Sequence, residues 1–448
     1  MSEVLQGNIA KYILRQSGVL LLGVLMMASF MLIDVYFISQ LGSRSLTAVS
    51  YATPVMTLLV SMLLGVGAGM VVVVANAAGG NDHKKLHSLL ISCISFAFIF
   101  GLMLWIILFM GSRNLFVQLG ARKEVLTQLM QYFEIMIPGM FFLCLLVAVT
   151  SLARALGNHK LLTYTMLLLV IINALLDPLL IFGYAGFPRL GIAGAAWATT
   201  IAIFISMWLP VPYLWKALKR YKHTDWSFAR IFRWRPIVAM AFPIALTNVL
   251  VPLGNTLFVK LLSHFGNAAV SAYGAGSRVD MLAIFSFTSL TAVLAPFIGQ
   301  NLGAEERTRA HKGLQYGITY AFILGLLAAV FISVFREHIS RIFATDAATF
   351  RALNDYLKIV PWGYAMNGFV MISLTVLNVY QRPWLAMGLA LCHLFLFYLP
   401  IAYGAMLMNS FDGILAAYPI SHLLATLLSY VILNKVSSRK MLELEFSG

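Results

Sequence analysis

Charge is what this 448-residue chain has least of: Asp, Glu, Lys and Arg make up 10% of it, against about a quarter of a soluble globular chain. A soluble fold has no way to bury the 61% that is hydrophobic, at a mean hydropathy of +0.88, because a folded chain of this size keeps too much surface. The same apolar content excludes disorder. Cysteine is scarce, and Cys93, Cys144 and Cys392 are far apart in the chain, which excludes a disulfide scaffold. There is no Walker stretch, so ATP is not the driving force within this chain. Neither a His-Glu-x-x-His zinc motif nor a Gly-x-Ser-x-Gly elbow occurs, and the nine His residues show no metal-ligand clustering. No long soluble stretch is present to hold a cofactor. The reading is therefore not an enzyme, with no cofactor and no structural metal. Acid is also scarcer than base, 16 against 31 residues, for a net charge of +15. Such an excess ordinarily suggests nucleic acid. Here the basic residues fall in short gaps between apolar runs, so orientation in a bilayer is the better account, and no nucleic-acid partner is expected.

What is present is a series of long apolar runs. A helix needs about 20 apolar residues to cross the hydrocarbon core. Twelve runs qualify, at roughly 13–39, 46–78, 88–111, 126–155, 160–184, 190–217, 236–263, 270–300, 312–335, 351–380, 384–408 and 412–434, numbered here as spans 1 to 12. None shows the alternating polarity of a barrel strand. Span 1 carries Asp34 and no small-residue cleavage site follows it, so it reads as a retained crossing. Twenty of the 31 Lys and Arg residues lie in the N-terminus, the even-numbered loops and the C-terminus, and eight lie in the odd-numbered loops. This bias places both termini in the cytoplasm.

The longest basic connection, Trp215 to Pro236, divides the spans six and six. The halves resemble each other. At an offset of 224, Gly42 meets Gly266, Ala48 meets Ala272, Gly79 meets Gly303 and His87 meets His311; near 223, Pro138 meets Pro361. An even number of spans per half makes both insert the same way up, the parallel kind of transporter repeat. The expected fold is an all-α integral membrane protein, with twelve transmembrane helices in two six-helix bundles related by a pseudo-two-fold axis along the membrane normal. The expected domains are 1–215, an N-terminal bundle; 216–235, a basic cytoplasmic linker; 236–434, a C-terminal bundle; and 435–448, a cytoplasmic tail. The run Gly65-Val66-Gly67-Ala68-Gly69 reads as close helix packing.

Carboxylates inside spans are costly and tend to mark ion or proton pathways. Asp34 lies deep in span 1. Asn173 and Asp177 lie four apart in span 5 and so share a helix face. Pro178 cannot donate a backbone hydrogen bond and is expected to loosen the helix there, freeing a carbonyl beside the carboxylate. Two carboxylates in one dry pocket do not both ionise easily, so such a site takes up a proton near neutral pH. The alternatives are structural acceptors for Asp34 and Asp177 and interhelical glue for Asn173. Thr199 and Thr200 of span 6 are positioned to approach the pair, although a Thr in a membrane helix usually bonds its own backbone. In span 8, Arg278 and Asp280 are two apart and do not face each other. Each needs a partner on another helix, or Arg278 snorkels; structural pairing and function are both open.

Taken together, the twelve spans in two halves, the stretch from Asp34 through Tyr36 to Gly42, the segment Gly299-Gln300-Asn301-Leu302-Gly303-Ala304, and Asn173 with Asp177 resemble the multidrug and toxic compound extrusion (MATE) transporters, in particular their DinF-like prokaryotic branch. The resemblance covers nearly the whole chain. It implies a V-shaped pair of bundles and a secondary active antiporter. That antiporter exports cationic or amphipathic drugs and toxic compounds across the inner membrane in exchange for H⁺ or Na⁺. It implies a cation site at Asp34, Asn173, Asp177 and Thr199, with Na⁺ at the first three as the metal alternative to a proton. Tyr36, Arg278 and Asp280 are carried as substrate-cavity or secondary polar positions. Another branch carries functional acids in spans 7 and 10. Asn248, Asn255, Asn367 and Asn378 stand in those spans here, so that mechanism does not transfer. The expected setting is the prokaryotic inner membrane, with lipids around a monomer and small-molecule substrates as partners. The rival is a flippase for lipid-linked precursors, which needs several basic residues in its cavity; Arg154, Lys260 and Arg278 are the candidates.

Overall fold

The computed structural model describes residues 2–80, 82–221, 233–344 and 346–445. Twelve helices among them are long and apolar enough to cross a membrane, and no strand occurs among the described residues. Between its two ends a helix satisfies its backbone N–H and C=O groups within itself, which hydrocarbon demands. Spans 1 to 5 are Ile9–Ser39, Ser43–Gly79, His83–Gln118, Lys123–Ala155 and His159–Phe182. Span 6 is Ile192–Met207, continued after a short turn by Val211–Arg220. Spans 7 to 9 are Arg235–Leu262, Asn267–Gly303 and Arg307–Phe343. Span 10 is broken into Ala347–Ile359 and Tyr364–Val379 by a 3₁₀ turn, Val360–Gly363. Span 11 runs from Pro383 to Leu407 with a π segment, Cys392–Tyr398, in its middle. Span 12 is Phe411–Glu445. The basic connection begins as helix, through Arg220, and its residues 222–232 lie outside the described residues.

The chain forms two compact units, one of Met1–Gly7, Gly18–Ala245 and Gly299–Glu306, the other of Asn8–Ser17, Leu246–Ile298 and Arg307–Gly448. The first is held together by small residues that bring backbones together. A Cβ added at Gly65 would fall 2.3 Å from the Cα of Ala245, and one at Gly69 would fall 2.6 Å from the Cα of Ala241. The Gly-x-x-x-Gly stripe of span 2 thus receives the start of span 7 directly, the close packing expected of it. At the end of span 2, a Cβ on Gly79 would overlap the carbonyl of Gln300, and one on Gly303 would overlap the carbonyl of Asn76. Residues 76 and 300 differ by 224, as do 79 and 303, so this contact maps onto itself under the sequence repeat. Gln300 also donates through Nε2 to the carbonyl of Ala155, at 2.6 Å. The Gly-Gln-Asn-Leu-Gly-Ala segment is therefore a packing lock. Gly42 and Gly266, another pair at that offset, both hold left-handed φ, +100° and +92°, in the turns after spans 1 and 7, where only a residue lacking Cβ sits without strain.

In the second unit, a Cβ at Gly313 or Gly317 of span 9 would strike Phe297 or Leu294 of span 8, and one at Gly325 would strike the backbone of Ala365 in span 10. Tyr12 packs on Phe297 with ring centroids 5.6 Å apart. Outward faces carry Ile107, Phe109 and Met110 on span 3 and Phe331 and Val334 on span 9, all exposed. Contiguous apolar surface of this kind belongs against lipid.

Candidate functional site

The site in the first unit is built from the inside of span 5 outward. Asn173 and Asp177 are both fully buried, and the helix runs on past Pro178 to Phe182. Their spacing of four puts them on one face, where Asn173 Nδ2 donates to Asp177 Oδ1 at 3.3 Å. The same Nδ2 donates to Thr199 Oγ1 of span 6, at 3.2 Å. Thr200 turns away and donates to the carbonyl of Ile135 at 3.2 Å, so of the two threonines Thr199 is the one bonded to Asn173. Span 6 comes this close because Gly194 meets the backbone of Leu180, where any Cβ would overlap it. Gly139 of span 4 makes room in the same way for the Thr200 hydroxyl.

Asp34 of span 1 is half-buried. It lies close enough to Asp177 for their charges to act on each other, so the first crossing contributes to the same site. Tyr132 of span 4, 7% exposed, is within reach of the charges of both Asp34 and Asp177. The sequence does not single it out: beside Phe133 and Glu134 near a span end, it reads as an interfacial aromatic. Its one signal is that a buried phenol needs a polar partner. Three oxygens in this group, Asp34 Oδ1, Asn173 Oδ1 and Asp177 Oδ2, are buried without a donor among the described residues. Leaving a buried acceptor unmade costs about 1–3 kcal/mol, more for a charged one. Two carboxylates, an amide oxygen and a hydroxyl, with lone pairs unspent, form a set suited to a proton or a hard monovalent cation.

The remaining expected positions lie elsewhere. Tyr36 is 61% exposed, its ring edge-on to Phe37. Arg278 is exposed while Asp280 is buried, as their spacing requires, and Asp280 accepts from the hydroxyls of Tyr356 and Tyr364. Lys260 is exposed, and Arg154 donates to Ser151 Oγ at 3.1 Å. No group of three or more His, Cys, Asp or Glu able to hold a metal occurs among the described residues.

Twelve apolar helices with a polar, partly unsatisfied oxygen cluster inside them define a multi-pass membrane transporter. The family model described as MatE matches residues 20–179 and 243–404, and the chain belongs to that family of transporters. A full-length relative is the "FAD transporter" of Shewanella oneidensis, 31% identical over 97% of this chain and 96% of that protein. Another is the "Probable multidrug resistance protein YoeA" of Bacillus subtilis, 28% identical over 74% of this chain and 73% of that one. Among solved structures, the Vibrio cholerae MATE transporter VcmN in its bent form matches with a TM-score of 0.89 at 26% identity, covering 97% of this chain and 98% of that one.

Proposed function

We propose that the protein is an antiporter of the prokaryotic inner membrane, with both termini cytoplasmic. It exports cationic or amphipathic compounds in exchange for H⁺ or Na⁺. The observation that carries this reading is the buried trio of unpartnered oxygens on Asp34, Asn173 and Asp177. The ion enters from outside and satisfies them. Loading changes which atoms donate and which accept between spans 1 and 5. Asn173, tied to both Asp177 and Thr199, passes that change to span 6. Substrate then leaves outward, and the ion departs to the cytoplasm.

Magnitudes limit what one ion achieves. One pH unit is worth about 1.4 kcal/mol per proton. A potential of about 100 mV adds about 2.3 kcal/mol per net charge moved. One proton traded for one monovalent cation moves no net charge, so each pH unit then sustains only about a tenfold gradient.

The full-length relative named for FAD supports a second substrate reading, an anionic flavin nucleotide. A flippase is less well supported, because it needs several basic residues in its cavity, and of the three candidates Arg154 is engaged with Ser151. The test is substrate-driven proton flux in proteoliposomes, with ethidium and FAD offered separately. Asp34→Asn is expected to fold and to abolish the flux. Full flux in that variant removes Asp34 from the mechanism. Flux with FAD and none with ethidium selects the second substrate reading.

A further inference from the structure

The second unit contains its own buried carboxylate, which the mechanism above leaves idle. Asp280 lies in span 8 and is 7% exposed. Tyr356 donates its hydroxyl to Oδ2 and Tyr364 donates its hydroxyl to Oδ1, each at 2.5 Å. The two tyrosines sit on opposite sides of the break in span 10. Tyr356 is in the last turn of Ala347–Ile359, and Tyr364 opens Tyr364–Val379. Between them Pro361 supplies no N–H, which is why the α-ladder gives way to the 3₁₀ turn Val360–Gly363 there. Eight residues of straight helix would rise about 12 Å, so one carboxylate braces more than two turns of chain across a weak point.

The brace is built in from the helix that bears it. Gly276 lies one turn before Asp280, and a Cβ there would fall 2.3 Å from Cε1 of Tyr356. The Tyr356 ring rests on bare backbone and its hydroxyl reaches the carboxylate. Gly363, inside the break, gives the same clearance to Tyr418 of span 12, with an added Cβ 2.7 Å from its ring.

The groups facing Asp280 are phenols. Tyr273 on its own helix, Tyr356 and Tyr364 of span 10, Tyr398 of span 11 and Tyr418 of span 12 all feel its charge. Beyond Tyr418 stand His422 and His393, their rings 4.3 Å apart. Span 7 contributes the Phe258 ring, stacked on Tyr398, and its Lys260 is exposed. Arg278 is exposed. Arg336 of span 9 and Lys358 of span 10 act on Asp355, as does Asp412 of span 12. Among the described residues the carboxylate is thus held by hydroxyls rather than by a cation.

We propose that Asp280 is a second proton-binding site of the transport cycle, one that ties the two pieces of span 10 together when ionised and frees one of them when protonated. A carboxylate has only lone pairs to offer, so both tyrosines donate to it. A proton on either oxygen makes that oxygen a donor. The tyrosine facing it must then reverse or leave, and its own O–H loses its acceptor. The turn at Val360–Gly363 is where the released piece swings. This rests on the proton-coupled reading above and supplies what that reading is short of. Two protons per monovalent cation sustain about a hundredfold gradient per pH unit. They also move one net charge, so about 100 mV contributes a further fiftyfold or so.

The experiment reads protons per substrate in proteoliposomes, with ethidium as the substrate, an imposed pH difference, and the membrane potential clamped at zero by valinomycin with equal potassium on both sides. The balance point, where net ethidium flux stops, gives the ratio. Wild type is expected to balance near a hundredfold ethidium gradient per pH unit, and Asp280→Asn near tenfold. A wild type that balances at tenfold, or an Asp280→Asn that keeps the wild-type ratio, overturns the proposal. If wild type moves protons with FAD and none with ethidium, the same ratio is read with FAD in wild type and Asp280→Asn; if it moves none with either, the proton-coupled reading fails and this one falls with it. Should Asp280→Asn not fold, Tyr356→Phe and Tyr364→Phe each remove one donor and keep the ring. Losing a donor to the ionised form makes protonation easier, so transport in these variants reaches its midpoint at higher pH. A pH profile that coincides with wild type refutes the role.

Discussion

Replacing Asn173 by Leu isolates the part the amide plays in the first unit. The side chain is fully buried, and Leu has the same branching and the same number of side-chain heavy atoms, so its outline is largely kept at the cost of some added volume. Both bonds made by Nδ2 disappear, the one to Asp177 Oδ1 and the one to Thr199 Oγ1. The threonine recovers by turning its hydroxyl to its own helix, as membrane threonines commonly do. Asp177 does not recover, because its other oxygen, Oδ2, is already without a donor. A hydrogen bond to a charged acceptor is worth about 1.5–3 kcal/mol. That amount is lost by the ionised form and not by the protonated one. At about 1.4 kcal/mol per pH unit, the midpoint of ethidium-driven proton flux therefore moves up by about one to two pH units. The direction follows because a weakened anion accepts its proton at lower proton concentration. The assay is the pH profile of that flux in proteoliposomes, beside a thermal-stability measurement in detergent to show that the variant is folded. A folded Asn173→Leu whose midpoint stays within about 0.3 of wild type would refute the claim that the amide's hydrogen bond favours the ionised form of Asp177 over the protonated one.

Two further outcomes are expected. Tyr132→Phe keeps the ring in its packed position and deletes the phenol that sits within reach of both carboxylates; folding yield is expected to hold and coupled flux to fall about tenfold, so wild-type flux would exclude the phenol from the site. Gly69→Leu forces a side chain into the space occupied by the backbone of Ala241; overpacking costs about 1–3 kcal/mol where neighbours yield, and a backbone neighbour yields poorly, so recovery of monodisperse protein on size exclusion is expected to drop sharply.

The spans and the carboxylates were legible because each is a local signal. An apolar run of membrane length announces itself, and Asp34 or Asp177 stands out against Leu and Ile. The Asn173–Asp177 pair was legible for the same reason, since one helix turn sets its geometry. What stayed hidden depends on packing between distant spans. Tyr356 and Tyr364 lie 76 and 84 positions from Asp280, and in a chain with 18 tyrosines nothing local marks them as its partners. Tyr132 is concealed in the same way. Pro361 was visible as a proline inside a span, but the bridge across its break was not, because the carboxylate that spans it belongs to another helix. The π segment of span 11 carries no Pro or Gly within Cys392–Tyr398 to give it away.

That π segment sets span 11 apart in one practical respect. Its wider hydrogen-bonded loops hold one residue more than an α-ladder requires. Taking a single residue out of Cys392–Tyr398 lets the ladder close as plain α-helix, with Leu399–Leu407 still facing its present neighbours. The same deletion within a regular span turns everything beyond it by about 100°. Among the described crossings, this one alone has slack in its length, and the slack lies where His393 and Tyr398 are presented. The ring-bearing wall of the second unit can thus be re-cut by one codon while the rest of the helix keeps its seat.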